Sequence, residues 1–171
     1  MKTLAELTGS TGLPVDPHLI LDLVIPVHAG LQAQGDLIVV PLDEVAGQVT
    51  IRTDAIWDEV PPAGIELLRG GTGGNAHTLV ADPGTCLWTT GTDDETGLAL
   101  GVFEAMAPAY LMHREHGGAG VAPGRYVVRR QREQAPPVAA DARAVAAGHR
   151  EVPRALLEPR PARPSVRFVA D

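Results

Sequence analysis

The chain has 171 residues, of which 44% are hydrophobic and 20% charged, with a formal net charge of −7. A chain of that length and apolar content can bury a core, which excludes disorder over its whole length. Two each of Trp, Tyr and Phe exclude an extended aromatic platform for single-stranded nucleic acid, while 19 Gly and 15 Pro favour short strands and many turns over long helices.

Residues 1–17 read as a lead-in closed by Pro14 and Pro17, and His18 to Val27 as a β-rich apolar run. Gly35-Asp36 is a turn signal, followed by a buried strand over Leu37 to Pro41. Gln48 to Arg52 alternates polar and apolar, as a half-buried strand does. A strand over Ile65 to Arg69 runs into the glycine-rich loop Gly70 to Gly74. Ala76 to Ala81 is a strand ended by the turn Asp82-Pro83-Gly84. Cys86 to Thr90 is the next strand, and Gly91 to Gly97 a loop. Strands over Leu98 to Met106, Ala109 to His113 and Arg125 to Arg132 complete the set. Short strands with a turn every ~8–12 residues predict an all-β sandwich or barrel over 18–133.

Residues 134–164 differ. Six prolines and nine alanines in 31 positions give no strand alternation, so this stretch reads as a linker or an arm reaching a neighbour. Residues 165–171 turn β-like again and form a terminal anchor around Phe168. Charge is uneven in the same sense: residues 1–115 hold 16 acids against four bases, and residues 116–171 hold ten arginines against five acids. Such a chain favours self-association or docking to an assembly partner, with Arg129, Arg130, Arg132 and Phe168 as docking residues. Its acidic body is the reverse of a nucleic-acid footprint. Pairing of these arginines with the chain's own acids, Asp93-Asp94-Glu95 among them, is the plainer alternative.

The single cysteine, Cys86, excludes an internal disulfide and fits a reducing compartment. The first residues, MKTLAELTGSTGLP, lack the apolar run of a signal peptide. Leu19 to Val27, broken by Asp22 and Pro26, is about half the ~20 residues of a membrane helix. The expectation is a cytoplasmic protein, or part of a particle assembled inside the cell.

Six histidines occur, and His77, His113 and His116 lie at strand ends beside glycines, where small-molecule and metal sites form. Alternation along a strand puts His113 and Glu115 on one face, so they meet His77 if the two strands are neighbours. His116 joins them only if the chain turns at Glu115-His116-Gly117. Imidazoles with a carboxylate suit a divalent metal such as Zn, Fe, Ni or Mn. The alternative is ordinary rim histidines bonded to backbone or water. A Cys86–His77 nucleophile is conceivable, against a small buried thiol. The glycine run lacks the Lys-Ser/Thr ending of a phosphate loop, and no serine sits in a nucleophile elbow.

The residues Ala76-His77-Thr78-Leu79 behind their glycines, Leu111 to His116, and Pro123 to Glu133 form a longer pattern, closed by Arg167-Phe168-Val169-Ala170-Asp171. It resembles cupin-type small β-barrels. More narrowly it resembles uncharacterised small bacterial and phage proteins with GHxH-like, HxEH and PGxYxVxRQRE strands. The resemblance implies a cupin-like β-roll with a metal at His77, His113, Glu115 and His116, and makes 134–164 an insertion. Asn75 stands where the first histidine of the cupin pattern would be, and Arg125-Tyr126 where the last would be. Three functions follow as expectations: a small β-barrel that binds a metal or small ligand, a structural protein that oligomerises or decorates a larger assembly, and a metal-dependent enzyme, for which no catalytic set is complete.

Overall fold

The computed structural model describes residues 1–69 and 74–131. Arg132, Phe168, the arm at 134–164 and the anchor at 165–171 lie outside the described residues. In chain order the elements are α1 (Leu4–Thr11), β1 (Val27–His28), β2 (Gln32–Gln34), β3 (Leu37–Pro41), a 3-10 turn (Leu42–Val45), β4 (Val49–Ile51), β5 (Asp58–Glu59), β6 (Ile65–Arg69), β7 (Ala76–Val80), β8 (Cys86–Thr89), β9 (Thr92–Asp94), β10 (Ala99–Ala105), β11 (Ala109–His113), β12 (Gly117–Val121) and β13 (Gly124–Arg130). The fold is all-β with one short helix.

Two sheets carry it. One runs β1-β12-β11-β7-β6, the other β2-β3-β13-β10-β8-β5, and β4 pairs with β9 alone. Neither large sheet closes on itself among the described residues, so there is no closed barrel. Among the described residues all strand pairings are antiparallel except β1 with β12.

Burial follows the pleat. Leu37, Val39, Phe103, Tyr126 and Val128 meet Leu79, Leu111 and Val121 in one core cluster shared by the two sheets. The alternate residues face outward but are also covered. Val80, Tyr110 and Met112 pack under Leu4 and Leu7 of α1. Val40, Val102 and Val127 pack with Val49, and Trp57 leans on them. Strands covered on both faces need apolar side chains at consecutive positions. That accounts for the runs LIVV, AYLM and YVV.

The structure differs from the sequence expectation at several places. The lead-in contains α1, started by a capping box in which Thr3 and Glu6 satisfy each other's backbone donors. Gly12, left-handed at φ 71°, ends it. The run His18 to Val27 is mostly not a strand: Thr3 and Val24 form an isolated bridge, and regular pairing begins only at Val27. The loop Gly91 to Gly97 contains β9. The glycine-rich stretch after His116 is a full strand, β12, because its neighbours leave no room for side chains. A Cβ on Gly118 would lie 2.5 Å from Ile25 Cδ1, and one on Gly120 would lie 2.6 Å from the Pro26 carbonyl.

Candidate metal centre

The site is built on the β11–β12 hairpin. His113 pairs with Gly117 across it, and Arg114, Glu115 and His116 form the turn. Gly117, the first residue of β12, is left-handed at φ 71°, a conformation glycine takes without steric cost. The turn brings His116 back over His113, meeting the condition set by the strand alternation. β7 lies beside β11, with Thr78 opposite Met112, so His77 comes next to His113.

The three imidazoles stack. His77 and His113 have ring centroids 4.3 Å apart and planes 28° apart. His113 and His116 are 4.4 Å and 20° apart, and His77 and His116 6.3 Å. His77 and His113 are buried, with 3% and 7% of their surface exposed, while His116 and Glu115 are exposed. Ligand atoms of His113, Glu115 and His116 all lie within 4.8 Å of one another, close enough to share one metal ion. His77 stands just behind this trio, stacked on its middle ring. A half-open hollow of about 180 Å³ is lined by these four residues with Gly35, Asp36, Gly74 and Asn75.

Supporting contacts come from further along the chain. Asn75 donates from Nδ2 to Glu115 Oε1 at 2.7 Å, which ties the turn to β7's leading end. Gln34, 6% exposed at the end of β2, donates from Nε2 to the carbonyls of Leu111 (3.4 Å) and Gly117 (3.2 Å). Its Oε1 faces His77 Nδ1 at 3.2 Å. Gly35, at φ 56°, forms the floor: a Cβ there would lie 2.9 Å from His116 Nε2 and 3.3 Å from His77 Cε1.

The electrostatics favour neutral rings. Burial, then the neighbouring His113 and His116, push His77 down to about 4. Burial, and then His116, also lower His113, against a hydrogen bond that its ring makes to the Asn75 backbone. At neutral pH both rings carry lone pairs instead of charge, the state in which imidazole binds a metal.

The remaining sequence candidates fall elsewhere. Arg129 is engaged: its NH2 donates to Asp94 Oδ1 at 3.0 Å and to Gln48 Oε1 at 3.3 Å. Arg130 is exposed at the end of β13. Cys86 lies fully buried in the main core and burial pushes its thiol up to about 12, so it is no thiolate nucleophile at neutral pH. Gln34 and Gly35 were not anticipated as site residues. Nothing local separates Gln34 from the less buried Gln32 two residues earlier on the same strand. Its role depends on β11 and β12, 77 and 83 residues away.

An all-β domain with a histidine–carboxylate hollow at the rim of a sheet is thus the class to which the geometry points. The chain belongs to the family described as "Domain of unknown function (DUF8820)", which matches residues 33–131. The matched stretch contains Gln34 and every residue of the hollow, and leaves out α1 and β1. No curated protein and no solved structure matches the chain.

Proposed function

We propose that this domain is a small β-structured binding module that holds a divalent transition metal in the hollow formed by His77, His113, Glu115 and His116. The observation that carries the reading is the convergence of three stacked imidazoles and a carboxylate from two neighbouring strands and the turn that follows them. Nitrogen donors with one carboxylate suit Zn, Fe, Ni or Mn over Mg or Ca. The cupin resemblance of the histidine strands agrees with this chemistry. Exposed Glu115 and His116 provide the entry side, and buried His77 and His113 the fixed side.

The full chain, stripped with chelator, is titrated with Zn²⁺ by calorimetry. One site per chain is expected. His116→Ala removes a donor on an exposed turn, so the affinity should fall by at least tenfold while urea stability stays within about 0.5 kcal/mol. Absence of Zn²⁺, Co²⁺ or Ni²⁺ binding, or binding indifferent to His116→Ala, refutes the reading.

A second reading, assembly with further copies or with a partner, is favoured by one surface feature. Ile20, Leu23 and Val24 are 71%, 63% and 49% exposed on a single short segment. Clustered exposed apolar side chains mark interaction surfaces. Sedimentation of the full chain beside an Ile20→Ser, Leu23→Ser variant tests it, and an unchanged monomer in both refutes it. No helix among the described residues is long and apolar enough to cross a membrane.

A further inference from the structure

His116 has a place in two spaces. It forms the exposed rim of the hollow, and it also lines a larger groove of about 350 Å³. That volume falls within the roughly 300–1,000 Å³ of small-molecule pockets. The groove's walls are Leu4 of α1 with Leu19, Ile20, Leu23, Val24 and Ile25. Leu19 and Leu4 stand over Gly117, where a Cβ would meet them at 3.6 and 3.8 Å. Among the described residues that line the groove there is no Asp, Glu, Lys or Arg, and the polar side chains are His18 and His116.

The segment that supplies most of the wall is fixed to the chain's first residues. The Ala5 N–H donates to the Leu21 carbonyl and the Ile25 N–H to the Lys2 carbonyl, both at 2.9 Å, and Val24 bridges to Thr3. Ile20 and Leu23 nevertheless turn their side chains to water. A backbone held at three points with apolar side chains left outside is a preformed apolar surface, of the kind that marks a binding site. Its one junction with the metal-ligating residues is His116.

We propose that the hollow and the groove form one site for an amphiphilic carboxylic acid, with its head on the metal ion and its aliphatic chain along Leu19, Ile20, Leu23 and Val24. The inference rests on the metal-binding reading and names the ligand class of that site. His113, Glu115 and His116 are the three residues whose ligand atoms lie close enough to share an ion. Three protein ligands leave a zinc ion one position for an outside ligand, and carboxylate oxygen is among the donors zinc ordinarily takes. A ligand held there lies beside His116, at the junction with the groove. The groove's walls give the rest of the molecule no charge to pair with. Burial of hydrocarbon is the favourable interaction they offer, and a second charge on the chain would be desolvated without a partner.

The full chain, loaded with Zn²⁺, is titrated by calorimetry with sodium octanoate, sodium acetate and 1-octanol, and methyl and imidazole NMR spectra locate each ligand. Octanoate should bind at least tenfold more tightly than acetate, a gain that burial of about two of its methylenes supplies. It should shift the methyls of Leu19, Ile20 and Leu23 together with the His116 ring, whereas acetate shifts the ring alone. Octanol, which has the chain without the carboxylate, should bind more weakly than octanoate. Ile20→Ser, Leu23→Ser, at exposed positions, should bring octanoate down to the level of acetate and leave zinc affinity unchanged. Zinc failing to bind removes the proposed function and this inference with it. Zinc binding with equal affinity for octanoate and acetate, octanol binding as well as octanoate, or octanoate binding indifferent to the double variant overturns this inference alone. A dimer that the double variant disperses and octanoate does not would assign the groove to a second copy of the chain, and also overturns it.

Discussion

Two polar clusters at strand ends, the Asp94 knot and the histidine hollow, differ in how completely they are satisfied. The Asp94 side chain, at the end of β9, is 4% exposed and accepts from Thr96 Oγ1, from the backbone N–H of Thr96, Leu98 and Ala99, and from Arg129. Nothing on it is left to offer a ligand. The hollow also uses buried polar groups, Gln34 and His77, yet it opens outward beside the exposed Glu115 and His116. A closed network specifies and stabilises a loop, whereas donor groups gathered around an open hollow make a candidate site. The contrast separates structural from functional polar residues more sharply than residue type does, since both clusters contain a carboxylate.

The largest expected effect comes from breaking the closed cluster. Asp94→Ala would strand the Arg129 guanidinium, 13% exposed, and the backbone donors of the 94–99 turn. Removing one partner of a buried pair costs about 3 kcal/mol or more. Urea unfolding should show that loss, with zinc affinity of the folded protein unchanged.

Gly35→Ala comes next and acts on the open cluster. Its left-handed backbone and the 2.9 Å approach to His116 Nε2 both oppose a Cβ. A loss of about 1–2 kcal/mol is expected, together with weakened zinc binding, because the new methyl fills the floor of the hollow.

The two clusters should also lose stability in different pH windows. Burial alone would raise Asp94. The hydrogen bonds from the Thr96 side chain and from the backbone of Thr96, Ala99 and Leu98 outweigh it and hold the carboxyl at about 2, below its ordinary 3.8. A carboxylate with a lowered folded value adds stability that is full above about 3.8 and is lost as pH falls toward about 2. His77 is lowered from 6.5 to about 4, so its unfolded form takes up a proton first. Its contribution is full above about 6.5 and is lost as pH falls toward about 4. Metal-free protein melted across this range should therefore weaken in two steps. His77→Gln should flatten the upper step and Asp94→Asn the lower.

The smallest effect is Thr96→Val, which removes one donor to Asp94 while the backbone donors remain. About 1 kcal/mol is expected, with the lower pH step moved upward.

Much of the fold was legible because the strands are regular. Leu37 to Pro41, Ile65 to Arg69 and Ala109 to His113 fall where apolar runs and turn residues put them. What was missed lacks a strand's signature. β12 is made of glycines, and only its close neighbours Ile25 and Pro26 explain them. The two-residue β5 is exposed and acidic. α1 carried a readable signal, Thr3-x-x-Glu6 around two leucines, but its GSTG ending resembles a loop. For the hollow, histidines beside glycines pointed to His77, His113 and His116, and a turn after Arg114 was the stated condition for the last. Gln34 could not be read, because its partners are brought to it by tertiary pairing. Arg129 lies beside Asp94, where the opposite charges of the two chain segments attract, and Arg130 lies exposed.

An anomalous difference map from crystals of the full chain grown with Zn²⁺ tests the central claim most directly. The account requires one zinc peak per chain in the hollow, within about 2.0–2.2 Å of a ring nitrogen of His113, a ring nitrogen of His116 and a Glu115 oxygen. A zinc peak bound elsewhere on the chain would contradict the assignment of the hollow. A well-ordered hollow that holds no zinc at saturating concentration would contradict the metal-binding reading itself.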